Sequence, residues 1–220
     1  MPDTEIIEGP PGSPLIILNT LEDEGEEIYG KLRSLTDADF SLAAIRVPDW
    51  NMDLSPWEAP AVFGDEPFGG GADRYIKYIS GTYVPKVIGS LARRPRRTII
   101  AGYSLAGLFS IYSLYRTDIF DAAVSASGSL WFPGFLEMME KEEMIGNPQC
   151  VYLSLGDKES NTRNPIMSTV GARTHRASEI IASKGIDTIF EGNPGNHFRE
   201  PALRTAKGIA WTLDTFLNLR

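Results

Sequence analysis

Short apolar runs rich in β-branched residues recur along this 220-residue chain, separated by segments with helical spacing. Most runs are bounded by Pro, Gly, Asn or Asp, a pattern typical of buried strands. Because strands that alternate with helices form parallel sheets covered on both faces, we predict one three-layer α/β domain over residues 1–220. Its mostly parallel sheet should have about six strands: Leu15–Leu18, Leu42–Val47, Thr98–Ala101, Ala122–Ser125, Val151–Leu155 and Ile186–Phe190.

Two long segments favour helices. Residues 72–91 have a helical pattern that is interrupted near Pro85, since proline lacks the N–H that an inner turn needs. The last helix carries one apolar stripe, which should pack against the sheet: Leu203, Ala206, Ala210, Leu213 and Leu217. Residues 48–71 are irregular and rich in Pro, Gly and aromatic side chains.

Charge and cysteine content narrow the class of protein. The net charge of −8 argues against a nucleic-acid partner, because phosphate binding requires clustered positive charge. The single cysteine, Cys150, excludes an intrachain disulfide framework and a cysteine zinc site. No apolar run approaches the roughly 18 residues that span a bilayer, and the first residues are acidic, unlike a secretory signal. We therefore expect a cytoplasmic protein without a membrane partner, and leave the oligomeric state open.

The segment Thr98–Leu108 carries the most informative chemistry. A β-branched strand leads through Gly102 to Ser104 and directly into a nearly all-apolar helix. Such a strand–serine–helix sequence is the context of a nucleophile elbow, a strained turn that exposes the serine oxygen. The positions two before and two after the serine must be small, and they hold Gly102 and Ala106. Ser104 is therefore the predicted nucleophile.

An oxyanion hole should accompany this nucleophile. Backbone N–H groups at a helix N-terminus face developing negative charge, which makes the N–H of Leu105 one predicted donor. The second is expected just after the first predicted strand, where Asn19 and Thr20 lie.

A serine hydroxyl needs a base to take its proton, and the chain has only His175 and His197. His175 falls off the apolar stripe of its predicted helix and should be a surface residue. His197 lies in a loop after the last predicted strand, where parallel sheets carry catalytic groups. Asp157 and Glu159 follow the preceding strand, and we prefer Glu159 as the acid because its position suits a loop reaching back over the sheet. Asp157 remains the alternative.

Four segments, taken in order, resemble the Putative esterase family of α/β hydrolases, which includes enterochelin esterases, S-formylglutathione hydrolases, feruloyl esterases and mycolyl transferases. The resemblance covers the chain from about Leu15 to its end, and the segments that carry it are these: Gly102–Phe109, Phe120–Trp131, Leu155–Glu159 and Asn196–Phe198. The resemblance implies an α/β-hydrolase fold, and it implies Glu159 as the acid by its Gly-x-x-acid position. Family members often have a longer N-terminal portion with extra strands. The pattern of this chain shows no such strands, so we expect a fold that is reduced at the N-terminus.

Substrate specificity is less defined. Residues 129–131 resemble enterochelin esterases, yet the chain has no evident basic cluster for a catecholate siderophore, which leaves the acyl group open. Aromatic side chains commonly line ligand pockets, and they are equally suited to a satellite core. The candidates for substrate contact are Trp57, Phe68, Trp131 and Tyr103, with Trp50 and Phe63 in the same aromatic-rich segment as Trp57.

These residues together predict a serine carboxylic-ester hydrolase that acts through an acyl-enzyme on a small or medium acyl ester. Neither a metal nor an organic cofactor is expected, because the serine, histidine and carboxylate suffice. The same triad would serve an acyltransferase, a thioesterase or a peptidase. A non-catalytic binding protein on the same fold is the alternative from another class.

Overall fold

The computed structural model describes residues 4–62 and 64–218. Its main sheet contains seven strands: β1 (Thr4–Ile7), β2 (Leu15–Thr20), β3 (Ser41–Arg46), β6 (Thr98–Tyr103), β7 (Ala122–Ala126), β8 (Cys150–Gly156) and β9 (Asp187–Asn193). A two-stranded ribbon lies between β3 and β6 in sequence: β4 (Glu58–Ala59) and β5 (Phe68–Gly69). The spatial order of the main sheet is β1-β3-β2-β6-β7-β8-β9.

All six predicted strands are present and pair in parallel. β1 was not predicted, and it pairs antiparallel with β3 at the edge of the sheet. Its side chains alternate between exposed and half-buried, because an edge strand need not be apolar on both faces. The ribbon within residues 48–71 was also not predicted, since each of its strands is only two residues long.

Helices cover both faces of the sheet. They are α1 (Gly25–Arg33), α2 (Trp50–Asp53), α3 (Ala72–Tyr78), α4 (Val84–Ser90), α5 (Leu105–Leu114), α6 (Phe135–Lys141), α7 (Val170–Ser183) and α8 (Pro201–Asn218). One face is packed by α1 and α8, and the other by the helices from α3 to α7, which confirms the three-layer α/β prediction. None of the helices in the described part of the chain is both long and apolar enough to cross a membrane.

The break predicted near Pro85 is a π-helical turn, Ile79–Tyr83, between α3 and α4. Pro85 lies in the first turn of α4, immediately after this wider turn. Because Pro85 has no N–H, the carbonyl four residues earlier cannot be paired as in an α-helix. A local π turn is a common way to absorb such a break.

The apolar stripe of α8 differs in part from the predicted one. Ala206, Ala210 and Leu213 pack against the sheet, whereas Leu203 is half-buried and Leu217 is exposed. Leu217 lies in the last turn of α8, which extends past the packed core. The buried stripe therefore ends one turn earlier than the sequence pattern indicates.

Gly208 lets α8 approach the sheet closely. A methyl group at this position would lie 2.5 Å from both Tyr152 Cδ1 and Val124 Cγ1. We expect Gly208→Ala to lower the free energy of unfolding by about 1–3 kcal/mol, because the helix would have to move off β7 and β8. Urea denaturation measures this change. Gly30→Ala in α1 is the control: its methyl would meet nothing within 4 Å, and it should stabilise by about 0.5–1 kcal/mol. Equal effects of the two substitutions would contradict the packing argument.

Candidate active site

Ser104 occupies a strained turn between β6 and α5. Its backbone has φ 56° and ψ −120°, in the region that favours glycine, and such strain is characteristic of functional sites. Neighbouring segments hold it: the Ser104 N–H donates to Ala126 O at 3.0 Å, and the Ser104 carbonyl accepts from the Ser129 N–H at 3.0 Å. The Oγ atoms of Ser104 and Ser129 lie 3.4 Å from each other. The serine thus has the geometry of a nucleophile elbow.

The small residues around Ser104 are required by this geometry. A methyl on Gly102 would lie 2.5 Å from Ala106 Cβ and 2.6 Å from Ala106 C. Because the contact includes the backbone of residue 106, Gly102 has no space for a methyl group, whereas residue 106 accommodates one. Gly107 is similarly confined, since a methyl there would lie 3.0 Å from Gly128 Cα.

A chain of hydrogen bonds leads from Ser104 through a histidine to a buried glutamate. His197 Nε2 lies 3.1 Å from Ser104 Oγ, and His197 Nδ1 lies 2.7 Å from Glu159 Oε2. The His197 side chain is 27% exposed and that of Glu159 only 4%. The three groups follow the carboxyl ends of β6, β8 and β9, the edge where parallel sheets place ligands. Their order is that of a serine–histidine–acid triad.

Of the two candidate acids, Glu159 makes the hydrogen bond to His197. Asp157 is exposed, and its Oδ1 accepts from the Gly195 N–H at 2.7 Å. That bond ties the loop after β8 to the loop that carries His197. Asp157 therefore fixes the backbone just before the histidine rather than the imidazole ring.

The second carboxylate oxygen of Glu159 has three donors. Oε1 accepts from the Gly156 N–H at 2.7 Å, from Ser127 Oγ at 2.8 Å and from Arg204 Nη1 at 2.8 Å. Burial raises the pKa of Glu159, but the hydrogen bond and charge of His197, followed by the bonds from Gly156 and Ser127, lower that pKa by more. The net pKa is below its ordinary value, so Glu159 is ionised at neutral pH and can stabilise an imidazolium.

The backbone N–H groups of Asn19 and Thr20, predicted as oxyanion donors, belong to the sheet. Both residues lie inside β2, which pairs with β3 on one side and β6 on the other. The Leu15 N–H donates to Arg97 O, and partners alternate along a central parallel strand. The Asn19 N–H therefore faces β6 and the Thr20 N–H faces β3. That prediction is corrected: neither N–H points to Ser104.

Two other N–H groups follow the carboxyl ends of β6 and β2. Leu105 is the first residue of α5, so its N–H has no partner within the helix. Leu21 is the first residue beyond β2, and its N–H donates to Glu24 Oε2 at 3.2 Å.

Two of the four predicted substrate-contact residues are core residues. Phe68 and Trp131 are buried, with ring centroids 6.0 Å from each other, and both pack against Phe132. The expectation of a pocket lining is corrected for both, because their rings are covered by neighbouring aromatics. Trp57 is half-buried and donates from Nε1 to Pro133 O at 2.9 Å. Phe63 lies outside the described residues.

Tyr103, the fourth, contacts the histidine loop. Its hydroxyl donates to the His197 carbonyl, and the two rings have centroids 5.2 Å from each other. Phe198 was not predicted: it is 86% exposed, and its ring stands nearly perpendicular to His197 at 5.5 Å. A single exposed aromatic residue has no periodicity by which a sequence could reveal it.

Three polar residues of the site were also missed. Ser127 and Ser129 lie in a segment that carries the family resemblance, but no sequence pattern assigned them a contact. Arg204 lies among the buried residues of α8 and is only 2% exposed. An arginine that interrupts an apolar helix face was the available signal.

A sheet of this topology, a serine on a strained turn and an adjoining histidine–glutamate pair define a serine hydrolase of the α/β class. The sequence model of the Putative esterase family matches residues 39–197. The chain therefore belongs to this family, and is a hydrolytic esterase.

Several solved structures share this fold. An IroE-like serine hydrolase from Shewanella oneidensis has a TM-score of 0.80 at 17% identity, covering 97% of this chain and 76% of its own. Siderophore hydrolase EstA from Aspergillus nidulans has a TM-score of 0.70 at 18% identity, covering 93% and 84%. The enterobactin esterase FES from Shigella flexneri has a TM-score of 0.67 at 17% identity, covering 99% of this chain and 56% of its own. Among curated proteins, none matches the chain.

Proposed function

We propose that this esterase hydrolyses small or medium carboxylic acyl esters through an acyl-enzyme on Ser104. The observation that carries the proposal is the 3.1 Å approach of His197 Nε2 to the Ser104 hydroxyl on its strained turn. A serine hydroxyl becomes an effective nucleophile when a base within hydrogen-bond reach accepts its proton.

The reaction has two halves. In the first, Ser104 Oγ attacks the ester carbonyl while His197 takes its proton, and His197 then protonates the departing alcohol. In the second, His197 takes a proton from water, and the resulting attack releases the acid and restores Ser104. Glu159 stabilises the imidazolium in both halves. The oxyanion accepts hydrogen bonds from the Leu105 N–H and the Leu21 N–H. For this, the Leu21 N–H must give up its hydrogen bond to the Glu24 carboxylate.

The exposure of the site supports the proposed acyl size. Ser104 is half-buried, and its partner His197 contacts the exposed ring of Phe198. A cavity of about 470 Å³ lies at the other end of the sheet, where Pro14, Arg97 and Leu213 line it. Since Ser104 itself is partly exposed, an acyl group on it would lie close to the protein surface, which favours short chains over long ones.

The siderophore substrates named for two structural neighbours are not part of this proposal. Arg204, which lies beside the triad, is buried against Glu159. A polyanionic catecholate would need accessible cations at the mouth of the site, and this arginine is not accessible.

Ester turnover and active-site labelling test the proposal. The protein should release p-nitrophenol from the acetate and butyrate esters in a burst stoichiometric with enzyme, followed by slower turnover. A fluorophosphonate probe should modify the peptide that contains Ser104, as read by mass spectrometry. Alcohol and amine acceptors added to the assay measure acyl transfer against hydrolysis. Folded protein with neither turnover nor labelling would favour the non-catalytic binding protein.

A further inference from the structure

Arg204 holds a buried guanidinium in the first turn of α8. Its Nη1 lies within hydrogen-bond reach of Glu159 Oε1 at 2.8 Å, Ser127 Oγ at 3.0 Å and the Tyr103 hydroxyl at 3.3 Å. Its Nη2 donates to two backbone carbonyls at 3.0 Å each, those of residues 194 and 196. These five acceptors lie at or beyond the ends of β6, β7, β8 and β9. One side chain thus connects the segments that carry the triad.

On the acid side, Arg204 fixes which oxygen of Glu159 faces the imidazole. Arg204, Ser127 and the Gly156 N–H all bond to Oε1, which leaves Oε2 for His197 Nδ1. Both members of the Arg204–Glu159 ion pair are almost completely buried, with side-chain exposures of 3% and 4%. A buried carboxylate requires such a partner to remain charged.

On the base side, Arg204 fixes the loop that carries His197. The carbonyls of residues 194 and 196 lie just before the histidine, on either side of Gly195, which has φ 101°. Tyr103 also bonds the His197 carbonyl and is itself within reach of Arg204. Without these bonds the loop would rely mainly on the Asp157–Gly195 contact and on Asp157 and Lys158 backbone bonds.

The space for the guanidinium depends on Gly156. A methyl on this residue would lie 2.9 Å from both Arg204 Nη1 and Nη2, and 2.3 Å from Gly195 O. Any side chain here would therefore displace both the arginine and the histidine loop. The packing around Gly156 therefore holds Arg204 and the His197 loop close together, in addition to the hydrogen bonds between them.

We propose that Arg204 is the positioning residue of the triad, setting the Glu159 carboxylate and the His197 loop relative to each other. Arg204 does not touch the reacting atoms; it acts through Glu159 and through the backbone before His197. The proposal rests on the proposed function, because this positioning affects turnover only if Ser104 is acylated.

Arg204→Lys is the sharpest test, since it keeps the charge but loses the planar fork that reaches the carboxylate and both carbonyls. We expect kcat for p-nitrophenyl butyrate to fall about 10- to 100-fold with KM changed less than about 3-fold, because the reacting groups are misaligned while substrate binding is intact. Lys207→Met is the matched control on the same helix. Lys207 pairs with Glu191 at 3.1 Å and donates to Asn193 Oδ1 at 3.0 Å, but it contacts no triad residue, so kcat should stay near that of the wild type.

A readout independent of turnover separates the two proposals. The His197 Nδ1 proton, held against Glu159, should give a far-downfield proton resonance in the wild type that broadens or shifts in Arg204→Lys. Wild-type kcat together with an unchanged resonance in this variant would overturn the positioning role. If the wild type lacks turnover and labelling, the proposed function fails, whereas the resonance still decides what Arg204 does.

Tyr103→Phe covers the case in which Arg204→Lys does not fold. It removes only a hydroxyl that bonds the His197 carbonyl and lies within reach of Arg204. We expect kcat to fall about 3- to 10-fold at constant KM, the value of one such hydrogen bond. An unchanged kcat in folded Tyr103→Phe would then overturn the proposal.

Discussion

Ser104→Ala should lower kcat/KM for p-nitrophenyl butyrate by about 10⁴- to 10⁶-fold and abolish fluorophosphonate labelling. The substitution removes the oxygen that we propose forms the acyl-enzyme, while the 3.1 Å position of His197 and its bond to Glu159 need not change. Steady-state kinetics and mass spectrometry of the labelled protein measure the two effects.

Histidine variants provide the control. His197→Ala should cost about as much as Ser104→Ala, and the double variant should cost no more than either, because the two groups act as a unit. His175→Ala removes the other histidine, which lies exposed on α7 beside Glu179, and should leave kcat/KM unchanged. Labelling that persists in Ser104→Ala would assign the nucleophile to another residue.

Glu159→Gln should lower kcat by about 10³- to 10⁴-fold. The amide cannot stabilise the imidazolium, and it can donate to Nδ1 and so favour the wrong tautomer of His197. The matched control is Asp157→Asn, which changes a carboxylate two residues away whose bond is to the Gly195 N–H and not to the ring. We expect Asp157→Asn to change kcat by less than about 10-fold, the value of one loop hydrogen bond.

Stability must be measured alongside, because Glu159→Gln leaves Arg204 buried without its counter-charge. Breaking a buried ion pair costs about 3–5 kcal/mol, which urea denaturation detects. Kinetics are therefore compared at a temperature where both variants are folded. A larger loss of kcat in Asp157→Asn than in Glu159→Gln would make Asp157 the triad acid.

The central strands were predictable because parallel strands buried on both faces form continuous apolar runs, as in Leu15–Leu18. β1 was not predicted because it is not buried on both faces and so has no continuous apolar run. It lies at the edge of the sheet, where Thr4 and Ile6 face solvent and Glu5 is only half-buried, so its sequence resembles an ordinary surface segment. The interruption at Pro85 was predictable from covalent structure alone, although its form as a π turn was not.

Within the site, Ser104 was predictable because a nucleophile elbow makes local demands on consecutive residues. His197 and Glu159 followed from loop position and spacing. Arg204 interrupts an apolar helix face, but its contacts were not predictable, because they come from four segments that only the fold brings together. Aromatic composition could not distinguish a buried Trp131 from a pocket-lining one, since both environments favour large apolar rings.

The position of Arg204 on α8 also bears on the order in which the parts of the site are synthesised. The Ser104 turn needs β6, α5 and the bonds to Ala126 and Ser129 around the end of β7, yet its base and the Arg204 guanidinium follow about a hundred residues after the serine. If Ser104 acts as proposed, a nascent chain that ends after the central strands lacks the base that activates its serine. We therefore expect Ser104 to react with esters only after the His197 loop and α8 have folded onto the sheet.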